Sequence, residues 1–331
     1  MNLELSLIIP LYNRPDEIRE LLESLCLQSD SDFEVIIVED GSSLKSDTIV
    51  DSFKDRLNLA YYFKPNSGPG QSRNYGAERA QGNYFIFLDS DCIIPADYIQ
   101  SVKSFLAEKP VDAFGGPDRA DDSFSPIQKA INYSMTALFT TGGIRGGKHS
   151  VEKFHPRSFN MGYTKEVFER TGGFAPMRFG EDIDMSIRMM KEGFSTALIP
   201  DAFVYHKRRS TFRQFYKQVH NSGIARINLY KRHPESLKLL HFFPASFSLF
   251  VIFSLMLMPW TLIPLSFLGF YFLLIFMDAL RQNKSIYVAV LAMVASFIQL
   301  FSYGLGFIKA VYRRLILGRA EFAAFEKNFY K

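Results

Sequence analysis

The sequence has little cysteine and tryptophan, and the scarcity of cysteine excludes one class of protein. Two cysteines among 331 residues, Cys26 and Cys92, cannot form a disulfide framework, which excludes a disulfide-stapled scaffold and fits a reducing compartment. The N-terminal stretch MNLELSLIIP has neither a basic region nor a long apolar run, so no signal peptide is expected. The N-terminal domain is therefore expected in the cytosol.

Charged residues are missing from two long stretches near the C-terminus. No Asp, Glu, Lys or Arg occurs between Phe242 and Met277 or between Ile286 and Ile308. Because a membrane-crossing helix needs about 20 apolar residues, both stretches predict membrane segments rather than very apolar core helices. Basic residues that suit anionic lipid flank them: Lys207, Arg208, Arg209, Arg213, Lys217, Arg226, Lys231 and Arg232 before, and Lys309, Arg313, Arg314 and Arg319 after.

The number of membrane crossings stays open at this level. Phe242–Met277 is long for one helix and short for two, and it contains Pro259 and Pro264. Two crossings there would leave the basic tail outside, whereas one crossing or a re-entrant segment would return it to the cytosol. The predicted organisation is a cytosolic domain over 1–232 that ends in a basic amphipathic interfacial helix at about 207–232, a membrane domain of two or three helices over 233–310, and a basic tail over 311–331. A nucleic-acid partner is not expected, because no aromatic-interleaved basic face or known binding motif accompanies the charge.

Short apolar runs alternate with helical patterns through the first part of the chain. Predicted strands cover 5–11, 33–38, 59–63 and 83–88, with helices between them. This alternation predicts an α/β fold: a Rossmann-like, mostly parallel sheet with helices on both faces. Ligands bind at the carboxyl ends of the strands in such sheets. The polar segments that fall at these ends are Tyr12-Asn13, Asp40-Gly41 and Asp89-Ser90-Asp91.

Two carboxylates, one residue apart, follow the predicted strand at 83–88. Residues i and i+2 of an extended segment point the same way, so Asp89 and Asp91 can face one site. Like charges this close repel each other unless water or a cation separates them. A solvated turn is the ordinary alternative, but the neighbouring polar strand ends favour Mg²⁺ or Mn²⁺ bound together with a diphosphate. His206, after a later short strand, is a candidate third protein ligand of that ion.

A second acidic pair, Glu181-Asp182, begins a predicted helix just after Gly180. Helix capping alone would explain an acid there, but a general base that deprotonates an attacking hydroxyl is the functional alternative. Neighbouring carboxylates raise each other's pKa, which helps one of them act near neutral pH. Arg73 lies near another helix start, a place that favours anions, and its alternative role is that of a surface charge.

Five motifs, in this order and at this spacing, resemble those of family 2 glycosyltransferases of the GT-A fold. They are Pro10-Leu11-Tyr12-Asn13, Glu39-Asp40-Gly41-Ser42, Asn66-Ser67-Gly68 through Arg73-Asn74, Asp89-Ser90-Asp91 and Gly180-Glu181-Asp182, and the resemblance covers about residues 4–230. The segment Ser302-Tyr303-Gly304-Leu305-Gly306-Phe307 resembles the closing membrane segment of a bacterial subgroup with membrane anchors. The resemblance implies inverting transfer of a sugar from a nucleotide-sugar with Mn²⁺ or Mg²⁺.

The resemblance also implies roles for single residues. Asp182 would be the catalytic base with Glu181 beside it, and Asp91, Asp89 and His206 would hold the metal. The nucleotide-sugar would be bound by Pro10, Tyr12, Asn13, Asp40, Arg73 and Asp89, and the region near donor sugar and acceptor would include Asn160 and Gly162.

One motif of the processive members of the family is absent. They carry Gln-x-x-Arg-Trp, but the only tryptophan here is Trp260, inside an apolar stretch. We therefore expect addition of a single sugar to a lipid-linked or nascent cell-surface glycan, at a bacterial inner membrane, with the catalytic domain facing the cytosol.

Two other classes of protein compete with this interpretation. A soluble nucleotidyltransferase that makes activated sugars would need neither an acceptor base nor membrane segments. A non-catalytic, nucleotide-sugar-binding membrane protein would not need Asp91 and Asp182 together. The sequence does not predict the donor sugar, the nucleotide base, the acceptor or the oligomeric state.

Overall fold

The computed structural model describes residues 3–119, 124–141 and 155–321, which form two compact units. The first unit comprises 3–119 and 155–206, and the second comprises 124–141 and 207–321. The division falls at Lys207 instead of the predicted boundary at residue 232, because the helix that follows Lys207 packs with the C-terminal apolar helices. The functional division into catalytic domain, membrane domain and tail stays a prediction, and the tail beyond Glu321 lies outside the described residues.

The described part of the first unit contains ten strands. They are β1 Leu5–Leu11, β2 Glu34–Asp40, β3 Leu59–Lys64, β4 Tyr84–Leu88, β5 Cys92–Ile93, β6 Ala113–Gly115, β7 Asp118–Arg119, β8 Asn160–Thr164, β9 Thr196–Leu198 and β10 Val204–His206.

Seven of these strands form one sheet in the order β3-β2-β1-β4-β8-β6-β9. All neighbours pair in parallel except β8, which is antiparallel to both β4 and β6. The mostly parallel α/β sheet predicted from the alternation of strands and helices is thus confirmed. A second, three-stranded sheet has the order β5-β10-β7.

The described α-helices follow one another along both units, with short 3-10 helices at Pro234–Ser236 and Leu239–Phe242 and a π-helix at Val311–Ile316. The α-helices are α1 Pro15–Leu25, α2 Asp47–Asp51, α3 Pro69–Ala77, α4 Tyr98–Glu108, α5 Pro126–Thr136, α6 Leu138–Thr141, α7 Lys165–Thr171, α8 Glu181–Lys191, α9 Phe212–Arg232, α10 Phe243–Leu257, α11 Ile263–Asn283 and α12 Ile286–Ala310.

The sheet of the first unit is covered on both faces, as its central strand requires. All seven residues of β1 are buried. Because successive strand residues point to opposite faces, Leu7 packs in a cluster with Leu21 of α1, whereas Ile8 joins another with Met185 of α8. A strand buried on both sides can be apolar throughout, which explains the unbroken run LSLIIPL.

The second unit holds three helices that are long and apolar enough to cross a membrane, by length and composition. The candidate segments are Leu239–Leu257, Ile263–Asn283 and Ile286–Ile316. The stretch Phe242–Met277 is therefore divided between two helices, α10 and α11, joined by residues 258–262. Pro259 lies in this break and Pro264 lies in the first turn of α11, where its missing N–H leaves no intrahelical bond unmade.

Candidate active site

The loops after β1 and β2 are joined at the carboxyl end of the sheet by Asn13. Its backbone N–H donates to Ser42 Oγ at 2.9 Å, and its side-chain Oδ1 accepts from the N–H of Leu44 at 2.9 Å. The φ of Asn13 is +51°, in the left-handed region that asparagine tolerates better than most residues. Asn13 therefore ties these two loops together, and the half-buried Tyr12 precedes it directly.

Asp40, at the end of β2, is almost wholly engaged by the loop that follows β3. Its carboxylate accepts from the N–H of Gly68 at 2.7 Å and of Ser67 at 2.9 Å, and it forms an ion pair with Lys64. Asp40 is 1% exposed, so it fixes the loop that leads into α3. Direct contact between Asp40 and a nucleotide stays a prediction that this burial does not favour.

Asp91 and His206 meet because β5 and β10 pair. His206 lies opposite Cys92 in this antiparallel pair, and its Nε2 is 3.2 Å from Asp91 Oδ1 and 4.0 Å from Asp89 Oδ2. The ring of Phe159 stacks on the imidazole with centroids 5.1 Å apart. The structure thus brings together the three side chains that the sequence proposed for a metal.

Arg14, which lies just after the Tyr12-Asn13 motif, contacts the other oxygen of Asp91. Its Nη1 forms an ion pair with Asp91 Oδ2. Burial alone would raise the pKa of Asp91, but the neighbouring His206 and Arg14 together hold it well below its usual range. Asp91 is therefore an anion that His206 and Arg14 already contact.

Arg73 connects the two groups of carboxylates. Its guanidinium lies 2.6 Å from Asp89 Oδ1 and 3.4 Å from Glu181 Oε1, and it is 2% exposed. The guanidinium also lies over the ring of Phe174, 5.3 Å from its centroid. The helix start at α3 predicted an anion partner for Arg73, and the anions it contacts are two side chains of the protein itself.

Glu181 and Asp182 form the first turn of α8, after Gly180, whose φ is +86°. Burial and the adjacent Asp182 raise the pKa of Glu181 to about 7, although Arg73 opposes that shift. Asp182 has a different partner, since its Oδ2 lies 3.3 Å from Nη1 of Arg157. The two neighbouring acids thus sit in different electrostatic surroundings, as acid–base chemistry requires.

Two residues expected near the donor sugar and acceptor lie inside the sheet. Asn160 is wholly buried, with Oδ1 accepting from the Tyr98 hydroxyl at 2.6 Å and Nδ2 donating to the Ala202 carbonyl at 2.8 Å. Gly162 lies under the ring of Phe114, and a Cβ there would come within 2.8 Å of that ring. Both residues have packing contacts here, and their contact with a sugar stays a prediction.

Three residues that no sequence motif indicated contact the predicted ones. Arg14 pairs with Asp91, Arg157 pairs with Asp182, and Phe159 stacks on His206. Arg14 directly follows the Tyr12-Asn13 motif, so its position was a usable signal. Arg157 and Phe159 belong to no motif, and only the paired strands place them.

The donor set suits a divalent cation. One oxygen of Asp91 and one nitrogen of His206 are 3.2 Å apart, and the nearest Asp89 oxygen is 4.0 Å from the same nitrogen. Carboxylate oxygens with an imidazole suit Mn²⁺, and carboxylates with waters suit Mg²⁺. Cys92 Sγ is also close, but burial and the nearby Asp91 and Asp89 raise the pKa of its thiol, which disfavours the thiolate that would bind metal.

The mostly parallel sheet with helices on both faces has the GT-A fold. The model of glycosyl transferase family 2 matches residues 6–180, about half of the chain, and the chain belongs to that family. The sequence-based recognition of the family and of a transferase is thus confirmed.

Two uncharacterized glycosyltransferases are similar in sequence. One, from Haemophilus influenzae, is 30% identical over 219 residues, which are 62% of this chain and 70% of that protein. Another, from Rickettsia felis, is 36% identical over 105 residues, 32% of this chain. The match spans only 17% of the Rickettsia felis protein, less than a fifth of its length.

A solved structure supports the fold. The mannosyltransferase of Pyrobaculum calidifontis, in complex with GDP-Man and Mn²⁺, superposes with a TM-score of 0.63 at 16% identity. The superposition covers 91% of this chain and 87% of that one.

Proposed function

We propose that the protein is a membrane-anchored, metal-dependent, inverting glycosyltransferase that adds single sugars. The donor is a nucleotide-sugar, and the acceptor is a hydroxyl of a lipid-linked or nascent cell-surface glycan. One observation carries this proposal: Arg73 contacts two separate groups of carboxylates. One group, Asp89 and Asp91, lies beside His206, and the other, Glu181 and Asp182, lies at the start of α8.

In the proposed reaction the acceptor hydroxyl attacks the anomeric carbon of the donor sugar. A bond forms from the hydroxyl oxygen to that carbon while its bond to the diphosphate oxygen breaks, which inverts the configuration. Asp182 accepts the hydroxyl proton, with Arg157 orienting its carboxylate. A divalent cation held by Asp91, His206 and Asp89 would neutralise charge on the leaving diphosphate.

Arg73 has a positioning role in this proposal. It is buried, it contacts Asp89 and Glu181, and it is therefore already occupied by the protein's own acids. We assign binding of the nucleotide to Pro10, Tyr12 and Asn13, which lie at the end of β1 and in the loop after it.

Localisation follows from the second unit. Its three long apolar helices fit a membrane, and the exposed basic side chains of α9 fit an anionic lipid surface. We assign the protein to a bacterial cytoplasmic membrane, with the catalytic unit in the cytosol where nucleotide-sugars are available.

The test is a panel of UDP- and GDP-sugars with Mn²⁺ or Mg²⁺ on the detergent-solubilised full chain. One nucleotide-sugar should raise the melting temperature only with metal and should be hydrolysed or transferred. Asp91→Asn should lose both effects, whereas Asp97→Asn, an exposed acid at the start of α4, should keep them. Stabilisation by a nucleotide-sugar without any metal, equal in both variants, would contradict the metal assignment.

A further inference from the structure

The exposed apolar surface of the second unit is concentrated on α10, α11 and the turn between them. Phe253, Met256, Trp260, Ile263, Phe270 and Met277 are each more than half exposed. Phe247 of α10 contacts Tyr271 and Phe272 of α11, with centroids 6.1 and 6.4 Å apart. Since these residues are almost equally far from Trp260 along the chain, α10 and α11 form an antiparallel hairpin with Trp260 at its tip.

The third apolar helix, α12, differs from this hairpin in its surroundings. None of its residues from Ala295 to Ile308 is exposed. Other backbones approach α12 closely at Gly304 and Gly306, where a side chain would not fit. A Cβ on Gly304, for example, would lie 2.8 Å from the carbonyl carbon of Pro244. The apolar character of this part of α12 is therefore used for packing inside the protein.

The neighbour that runs along α12 is a polar helix. His220 of α9 has its Nδ1 3.2 Å from the carbonyl oxygen of Ser302, and farther along Ile227 packs in a cluster with Phe307. The two helices thus run in the same direction. Exposed cations occur at both ends of α9, namely Arg213, Lys217, Lys231 and Arg232, which cannot all face hydrocarbon at acceptable cost.

The position of the C-terminal end of α12 decides between two arrangements. Three successive crossings would place that end beside the end of α10, on the far face of the membrane. Instead, Gly304 approaches Pro244, and Ala310 lies in a cluster with Ala245, so the end of α12 lies beside the beginning of α10. The start of α10 and the end of α11 form the base of the hairpin, and α12 crosses this base.

We propose that the α10–α11 hairpin is the element that enters the bilayer hydrocarbon, and that α12 lies across its base. Residues after Ala310 then lie on the same face of the membrane as α9. Both arms of the hairpin begin or end at this base, so the hairpin enters and leaves the bilayer by one face. The inference rests on the membrane association in the proposed function.

The first test uses Trp260, the only tryptophan in the chain. In vesicles made with acyl-chain-brominated phosphatidylcholine, its fluorescence should be strongly quenched. The control is Trp260→Phe/Tyr303→Trp, which moves the fluorophore to the enclosed part of α12 and should be quenched at most weakly. Equal, weak quenching in both proteins would overturn the insertion of the hairpin.

The second test asks on which side the C-terminus lies. The full chain is fused at its C-terminus to green fluorescent protein or to alkaline phosphatase in a bacterial host. We expect fluorescence and background phosphatase activity, and an extra transmembrane helix inserted before the phosphatase should switch that activity on. Strong phosphatase activity without the extra helix would overturn the proposed topology.

Failure of this inference and failure of the proposed function give different results. A chain that alkaline carbonate washes from the membrane would contradict membrane anchoring in the proposed function. A chain that stays in the membrane and transfers sugar, but shows its C-terminus on the far face, would contradict only the hairpin topology.

Discussion

The strand ends of the first unit and the helices of the second are held together by different forces. In the first unit, Asp89 and Asp91 after β4 and Asp182 at the start of α8 each contact an arginine. Along α12 the contacts are between small residues and backbone, as at Gly304 and Gly306. Charge pairing holds these carboxylates in place, whereas close steric packing holds the apolar helices together.

The largest expected effect in this comparison is the loss of Asp91. Asp91→Ala should reduce metal-dependent transfer about 10³-fold or more, because the cation loses a central ligand and the leaving group loses its charge partner. The measurement is single-turnover transfer, with the melting temperature as a check that the variant folds. Transfer at the wild-type rate would remove Asp91 from the metal site.

Asp182→Asn should come next. Turnover should fall about 10²- to 10³-fold while the Kd for the nucleotide-sugar changes little, since a general base acts on the acceptor and not on donor binding. Glu181→Gln is the matched comparison, one residue away. If Glu181→Gln reduced turnover more than Asp182→Asn, the base would be Glu181.

The raised pKa of Glu181 predicts a pH dependence of stability. The folded state binds the proton more tightly than the unfolded chain, so this contribution is fully present below about pH 4.5 and is lost as pH rises to about 7. It amounts to about 3 kcal/mol at most, at roughly 1.4 kcal/mol per pKa unit. The melting temperature of Glu181→Gln minus that of wild type should therefore rise from pH 5 to pH 8, because glutamine cannot lose the proton. Parallel plots of melting temperature against pH for the two proteins would contradict the raised pKa.

The packing of the second unit can be tested with two glycines. Gly223 of α9 faces the backbone of α12, where a Cβ would lie 2.8 Å from the nitrogen of Phe307, whereas nothing lies near a Cβ on Gly269 of α11. Gly223→Ala should destabilise the protein by about 1–3 kcal/mol through overpacking, and Gly269→Ala should not. Thermal unfolding in detergent compares them, and equal melting temperatures would show that α9 and α12 are not so tightly packed.

The smallest expected effect concerns Arg14. A divalent cation and the Arg14 guanidinium compete for Asp91, so Arg14→Gln should bind Mn²⁺ about two- to fivefold more tightly, the range of a partly exposed ion pair. Arg19→Gln, which removes an exposed charge from α1, should leave the Kd unchanged. Weaker binding in Arg14→Gln alone would mean that Arg14 supports the cation.

Local patterns predicted the elements of the site, but not their partners. The strand before Asp89 and the helix start at Glu181 are visible as short runs of apolar and polar residues. The partner of Arg73 at Glu181 is 108 residues away, and that of Arg14 at Asp91 is 77 residues away. Such pairs depend on which loops the sheet order brings together, and local sequence patterns do not specify that order.

The sequence-based prediction of the membrane segments was incomplete for a different reason. Composition marked Phe242–Met277 as apolar but left open one helix or two, because apolar residues serve both lipid contact and internal packing. The structure distinguishes the two roles because part of α12 is enclosed by other helices. That enclosure depends on where α9 packs.

The double contact of Arg73 has a thermodynamic consequence. If a cation draws the carboxylate of Asp89 away from Arg73, the guanidinium keeps Glu181 as its anionic partner, and the ionised form of Glu181 gains stability. Binding on the donor side would then change the proton affinity on the acceptor side, and the linkage is reciprocal. We expect such an enzyme to release a proton when it binds metal and donor, before any acceptor arrives.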